Sequence, residues 1–436
     1  MAQSISRAGG GAVTGRSSKG LTQAAVLLTC LMAATTWLPS TPAESVATSV
    51  SLPPPREFCT QGFEISITRI SPPDIDFGID YEFDQINYRA EWRKGSTLRV
   101  ADLYPDTGLP VGTVVVVDTG IVTEWPAIGT FPFGGNGAEW AYSARGSELF
   151  YMKPSGFRGR ERQLVKAYET SPGQWATEAL PGGALRGFPI GSKDESDSVP
   201  RILFTKHAFL KHATVLAIRE VPEDPDTEWT IRAPVTVGEG GPRWVPGRRQ
   251  IVLSLLDESG VEQVAIYDLD TRDFDMVTHY TAEDDIDVDE PWVSELPSLG
   301  PDEITVWFVV NNSELRFYRK DETGSWVMVN AVNPSEAIGN PAMPYILSPE
   351  PCTFQGESYI VFQSSVTKSR EMQPGDIYLM MPGSSTSCQF RLLTPADGKV
   401  RKAPECLELT STLAVYFVEW DASGRSGLYK AETGLP

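Results

Sequence analysis

Histidine is scarce: the chain holds only three, His207, His212 and His279. That excludes metal chemistry built on several imidazoles around iron or manganese, and the three are read as surface or structural residues. Cysteine is nearly as sparse, with five residues, no C-x-x-C pair and no zinc-type spacing. There is no H-E-x-x-H, no G-x-S-x-G, no phosphate-binding P-loop, no G-x-G-x-x-G and no Asp-box, so the common hydrolase and nucleotide-binding signatures are missing. Basic residues are in deficit, 37 against 57 acidic ones, for a net charge of −20. An acidic surface of this kind repels nucleic-acid backbones and anionic headgroups. No long stretch carries a helical period, and only the N-terminal region holds a long apolar run.

What is present begins with that run. Arg7, Arg16 and Lys19 precede the apolar segment Leu21 to Pro39, and Ala43 and Ser45 are placed for a signal-peptidase cut before Val46. Residues 1–45 are therefore expected to be a signal peptide and the mature protein to be exported, periplasmic or extracellular, with no integral membrane domain. The alternative is a retained N-terminal anchor, since the run approaches the length of a membrane span. Cys30 follows Leu27-Leu28-Thr29, but Thr29 suits a lipoprotein cut poorly and the apolar run continues past it. Residues 46–62, opening VATSVSLPPPRE, read as a flexible lead-in. Removing the leader leaves Cys59, Cys352, Cys388 and Cys406, an even number that suits disulfides in an exported chain.

The remainder, 63–436, is rich in Gly (38) and Pro (34) and alternates short β-prone runs with turn residues. A pattern recurs: a Trp or Cys, about ten mostly polar residues, then an apolar run. Copies start at Trp140, Trp244, Trp292, Cys352 and Cys406. Trp140 to Trp244 is 104 residues, two steps of 52, and the next steps are 48, 60 and 54. Weaker copies near residues 84 and 192 complete about seven repeats of roughly four strands, with six as the alternative count.

Trp244-Val245-Pro246-Gly247-Arg248-Arg249-Gln250-Ile251, followed by Tyr267-Asp268-Leu269-Asp270, resembles the TolB-type or PD40 (WD40-like) β-propeller repeat. Drifted copies cover about residues 77–434. The resemblance implies an all-β fold, a single β-propeller, and says little about function. In such a ring the last repeat stops one strand short, and the alternating segment Phe63 to Ile70 is expected to supply that strand and close it. Closure would bring Cys59 near Cys388, and Cys352 and Cys406 would sit at equivalent places in neighbouring repeats; these are the expected bridges.

Propellers bind at the mouth of the central channel. Glu139, Glu290, Glu350 and Glu405 each precede a repeated Trp or Cys by one or two positions, and Arg243 takes that place in the fourth repeat. They are candidates for acid–base work or for a carboxylate ring holding Ca²⁺. The non-constant offset counts against a true ring, because one position flips the face of a strand. Trp140, Trp244 and Trp292, with Arg243, are the candidate ligand contacts; packing between repeats is the plain alternative for the aromatics. Asp287, Asp289 and Glu290, in the acidic run from Glu283, have the composition of a cation loop but lack the EF-hand framework. The expected function is a ligand- or protein-binding module acting through the channel mouth. The alternative is a hydrolase, lyase or cyclase acting on a small molecule or glycan with these glutamates as acid and base.

Overall fold

A computed structural model describes residues 58, 63–71, 80–94, 97–112, 115–119, 138–155, 161–181, 186–208, 213–220, 228–231, 241–299, 304–368, 372–383 and 389–435. All belong to the compact unit Leu52–Pro436. The expected signal peptide, nearly all of the lead-in, Cys59, Cys388 and His212 lie outside the described residues.

The fold is all-β. Among the described residues, seven four-stranded antiparallel sheets follow one another. Sheets one to six occupy Asp80–Thr119, Glu139–Ala179, Arg186–Ile231, Arg243–Met276, Val288–Val332 and Tyr345–Leu392, each with its strands in sequence order. Sheet seven takes three strands from Arg401–Glu432 and its fourth from Ile67–Arg69, which pairs antiparallel with Ser426–Glu432. The paired part of the N-terminal segment is three residues, shorter than the alternation of Phe63 to Ile70 implies. The register there sets Ile67 opposite Ala431 and Arg69 opposite Tyr429.

The sheets are buried on both faces, which explains the apolar runs. Leu413–Trp420 begins with seven successive buried residues, as a strand does when both faces are covered. Neighbouring side chains then serve different interfaces. In sheet six, Ile360 and Phe362 pack against Trp307 and Phe317 of sheet five, while Tyr359 and Val361 pack against Val415 and Phe417 of sheet seven. Clusters of this kind join every consecutive pair of sheets. A further one sets Tyr81, Phe83 and Trp92 of sheet one against Tyr416 and Val418 of sheet seven. Tyr416 also donates to the Gly108 carbonyl at 2.9 Å, and Lys430 to that of Thr107 at 2.6 Å. The first strands likewise touch in order, one to seven and back to one.

Local signals that recur along the chain explain the hairpins. Asp257-Glu258-Ser259-Gly260 and Asp421-Ala422-Ser423-Gly424 join second to third strands in sheets four and seven, and Asp321-Glu322-Thr323-Gly324 joins third to fourth in sheet five. In each, one aspartate oxygen accepts from the backbone N–H groups two and four residues on, and the glycine takes a positive φ of 77 to 81°. All three aspartates are held below the usual carboxylate range, Asp321 and Asp421 first by the Thr323 and Ser423 hydroxyls and then by these N–H groups, Asp257 first by the Val261 N–H. The copy around Trp244 follows the expected plan: a short first strand, a turn with Gly247 at φ 63°, then the buried run Gln250–Leu256. The Asn311-Asn312 pair lies in the hairpin of sheet five with φ 51 and 53°.

Cys352 and Cys406 form a disulfide between sheets six and seven, with Cα atoms 5.8 Å apart. They are not equivalent within their strands. Cys406 lies one residue past Glu405, whereas Cys352 lies two past Glu350. The extra residue turns Cys352 to the opposite face of its strand, so that the two sulfurs meet in the shared interface. Equivalent positions would point the same way round the stack.

Candidate functional site

One cavity of ≈ 230 Å³ receives residues from the first strand of every sheet. The contributors are Glu82, Glu139, Ile190, Arg243, Trp292, Glu350 and Glu405, at intervals of 49 to 58 residues. Tyr81, Trp244, Val293 and Pro351 line it beside them, and Ser192, Lys193 and Asp194 enter from the segment after the first strand of sheet three.

A backbone device aligns four of the seven. Ile190, Trp292, Glu350 and Glu405 are each the first paired residue after a register shift in the first strand, and each follows a proline. Proline cannot donate to the ladder, so it sits where pairing is interrupted. The residue before it takes a positive φ in three of them: Glu290 at 50°, Ser348 at 46° and Ala403 at 49°.

This geometry corrects the repeat alignment. Glu290 corresponds to Ser348 and Ala403, not to Glu350 and Glu405. It is buried, at 8 % exposure, and is not among the cavity-lining residues, although its charge acts on Glu350. Trp292 occupies the place expected for a glutamate. Trp140 is fully buried, packed against Leu149, Val165 and Trp175, so its side chain is a packing element rather than a ligand contact. The cavity collects Glu139, Glu350, Glu405, Arg243, Trp244 and Trp292 of the expected site residues. Two residues that the repeat pattern did not single out, Glu82 and Lys193, join them. Glu82 stood within the weak first copy; Lys193 follows a strand and carries no repeat signal.

The polar groups divide into two sets. Lys193 pairs with Glu82 and lies 3.9 Å from Glu139 Oε2. Its Nζ donates to the Trp140 carbonyl at 2.7 Å and stands 5.3 Å from the Tyr142 ring centre. Glu82 also accepts from the Trp140 N–H at 3.0 Å. Burial works against the Lys193 charge, but Glu82, Tyr142 and Glu139 outweigh it and hold the ammonium above its ordinary value. Across the cavity, the Arg243 guanidinium lies 4.5 Å over the Trp292 ring and donates to the Pro242 carbonyl at 3.3 Å. Glu350 and Glu405 accept no side-chain hydrogen bond and form no ion pair among the described residues.

Burial and mutual repulsion keep protons on these acids. Glu139 is raised well above the usual range by burial and then Glu82, with Lys193 and Arg243 opposing. Glu350 is raised well above it by burial and by Glu405. Glu405 is pushed up to about 8 by burial and Glu82, against Lys193 and Arg243. The Tyr81 phenol is raised by burial and by Glu405 and Glu350. Among the described residues, no three His, Cys, Asp or Glu side chains group as metal ligands. Asp289 Oδ1 accepts from the Glu290 N–H, and the Asp287 backbone N–H donates to Asn311 Oδ1; neither residue lines the cavity. His279 is exposed, and the side chain of His207 lies outside the described residues.

Neither a family model nor a curated protein matches the chain. Solved structures do. The chain is similar to TolB from Acinetobacter baumannii at 16% identity, covering 70% of this chain and 61% of that one, with a TM-score of 0.36. It is similar to Trypanosoma rangeli sialidase in complex with sialic acid at 10% identity, covering 84% and 60%, with a TM-score of 0.40. It is also similar to the AfRom2 CNH domain at 9% identity, covering 84% and 98%, with a TM-score of 0.45. The chain spans 53% to 60% of the first three sialidase chains it matches.

Proposed function

We propose that the seven sheets are the blades of a single closed β-propeller of the TolB-like, PD40 kind, exported, and that it binds a small ligand in its axial cavity. The observation that carries this reading is that all seven first strands deliver a residue to the same cavity. The cyclic order of contacts between first strands supports the closed ring, with Ile67–Arg69 as its clasp. Small-molecule sites commonly occupy roughly 300–1,000 Å³, so ≈ 230 Å³ favours a metabolite-sized ligand over a protein segment. The disulfide supports an oxidising compartment, and no helix among the described residues is long and apolar enough to cross a membrane.

The test is a thermal-shift screen of a metabolite library against the wild type and Pro246→Trp, a substitution at an exposed turn beside the cavity. Ligands that raise the wild-type melting temperature should lose their effect in the variant. Equal shifts in both proteins would place binding elsewhere and refute the axial site. A second reading, general acid catalysis, is favoured by Glu405, whose carboxyl at about 8 holds a proton at neutral pH. It predicts that Glu405→Gln retains binding and loses turnover of the bound compound.

A further inference from the structure

The seven inward positions read, in ring order, Glu82, Glu139, Ile190, Arg243, Trp292, Glu350 and Glu405. Because the ring is cyclic, the four glutamates form one unbroken arc, from sheet six through seven and one to two. The facing arc is Ile190, Arg243 and Trp292. The cavity is therefore acidic on one side, and on the other carries Ile190, Trp292 and the Arg243 guanidinium lying over that ring.

The charges inside it are not balanced. Lys193 is committed to Glu82 and Glu139. Asp194, the fifth carboxylate on the wall, has Arg201 at 3.7 Å and accepts from Ser196. Arg243 is turned onto the Trp292 ring, and no carboxylate among the described residues lies within ion-pair distance of it. Glu350 and Glu405 remain, on the first strands of adjacent sheets that pack closely together. Both line the cavity half-buried, with no side-chain hydrogen bond or ion pair among the described residues, and the positive charges that act on them from a distance are Arg243 on both and Lys193 on Glu405. Buried carboxyls are normally paired or hydrogen-bonded. Two left open in one cavity are the geometry of a site whose partner is a ligand.

We infer that the cavity takes a small organic cation, an alkylammonium or amidinium, with its charged head between Glu350 and Glu405 and its apolar body against Trp244 and Trp292. This rests on the axial-cavity reading above. An anion would meet one open guanidinium but could pair with neither carboxyl, whereas a cation draws both carboxyls into their charged forms. A bare Ca²⁺ ion requires six to eight oxygen ligands, and no three acidic side chains among the described residues converge to supply them. Arg243 lies over the Trp292 ring, which stacks on Trp307, and Arg201 lies over the Trp244 ring, so the edges of the indoles are what offer apolar contact to the body. A cation held here displaces protons from carboxyls that burial keeps protonated. Glu82, Glu139, Glu290, Lys193, Arg243 and Tyr81 are the other ionisable groups acting on the pair. Affinity should then rise with pH between 6 and 8, about tenfold per unit for each proton released.

The experiment is isothermal titration of the full-length mature protein with four probes: benzamidine, benzoate, glucose and calcium chloride. Benzamidine alone should bind, more tightly at pH 8 than at pH 6. The double variant Glu350→Gln/Glu405→Gln should weaken it at least tenfold at pH 8, while Glu322→Gln, in an exposed turn, should bind as the wild type. Melting curves of the double variant keep the test valid, because replacing two half-buried acids with their amides should leave the fold intact. Binding of benzoate, glucose or calcium in place of benzamidine, lost in Pro246→Trp, overturns the cation class and leaves the axial site standing. Benzamidine binding unchanged in the double variant also overturns it. No binding by any probe at 10 mM overturns both.

Discussion

Replacing Arg401 with methionine strips the counter-charge from a buried cluster between sheets six and seven. Arg401 has no exposed side-chain surface. Its Nε lies 2.8 Å from Glu419 Oε2, one terminal nitrogen 2.8 Å from Asp397 Oδ1, and the other donates to the Pro395 carbonyl at 2.8 Å and lies 3.7 Å from Asp376 Oδ1. Glu419 and Asp376 are themselves only 4 % and 3 % exposed. Lys399 still reaches Glu419, at 2.7 Å, after the change. Asp376, raised by burial and opposed mainly by Arg401, keeps no cation at that distance among the described residues. Removing one partner of a buried pair costs about 3–5 kcal/mol, because the other charge stays behind. For a compact unit of Leu52–Pro436 the unfolding entropy is ~0.8 kcal/mol/K, so the melting temperature should fall by roughly 4–6 °C. The sign with pH follows. In Arg401→Met the Asp376 carboxyl, already raised by burial, loses its main opposing charge, so the deficit is largest at neutral pH and shrinks as it protonates toward pH 5. Replacing Asp376 and Glu419 with leucine in the same variant should recover much of the loss. Calorimetry at pH 5 and 7 makes the comparison. A variant within 1 kcal/mol of the wild type at pH 7, or a deficit independent of pH, would refute the assignment of this cluster as a mutually dependent set.

Other consequences can be measured in the same way. Converting Cys352 and Cys406 to serine opens a loop with a sequence separation of 54; in the chain-entropy treatment this costs about 4 kcal/mol, and an unchanged denaturation midpoint would contradict it. Gly191→Ala places a methyl 2.1 Å from the Trp140 carbonyl oxygen and 2.7 Å from its carbon. Backbone cannot yield cheaply there, so a loss of about 1–3 kcal/mol or more is expected, read as a lower melting temperature. For Glu405, a folded pKa of about 8 against an ordinary 4.5 means that its contribution to stability is full below pH 4.5 and is lost as the pH rises through 8. Glu405→Gln should therefore flatten the decline of melting temperature between pH 5 and 9; an identical slope in both proteins would count against it.

Legibility in the sequence followed the range of the interaction. The second strands announce themselves: Ile251-Val252-Leu253 and Val306 to Val310 are unbroken apolar runs because both of their faces are covered, and that pressure acts on every copy. The turns are equally local, since an aspartate capping its own backbone needs only the next four residues. Length, period and strand content thus sufficed for an all-β repeat architecture. The inward positions were harder. Aligning copies on Trp140, Trp244, Trp292 and Cys352 set Glu290 beside Glu350, and only the proline-marked shifts in the first strands showed that Trp292 is the true counterpart of Glu350. A shift of one residue reverses a side chain, and no composition rule records it.

The sequence by itself determined the repeat, the strand-and-turn texture, the acidic surface and six of the residues that line the cavity: Glu139, Arg243, Trp244, Trp292, Glu350 and Glu405. Tertiary structure decided which positions face inward, that four glutamates form one arc, that Lys193 neutralises only part of it, and that Cys352 meets Cys406 across an interface. The physical reason is distance along the chain. Repeats and turns are specified by neighbours a few residues apart. The site joins residues from Tyr81 to Glu405, and their convergence depends on how the sheets pack, on strand register, and on the pairing of Ile67–Arg69 with Ser426–Glu432.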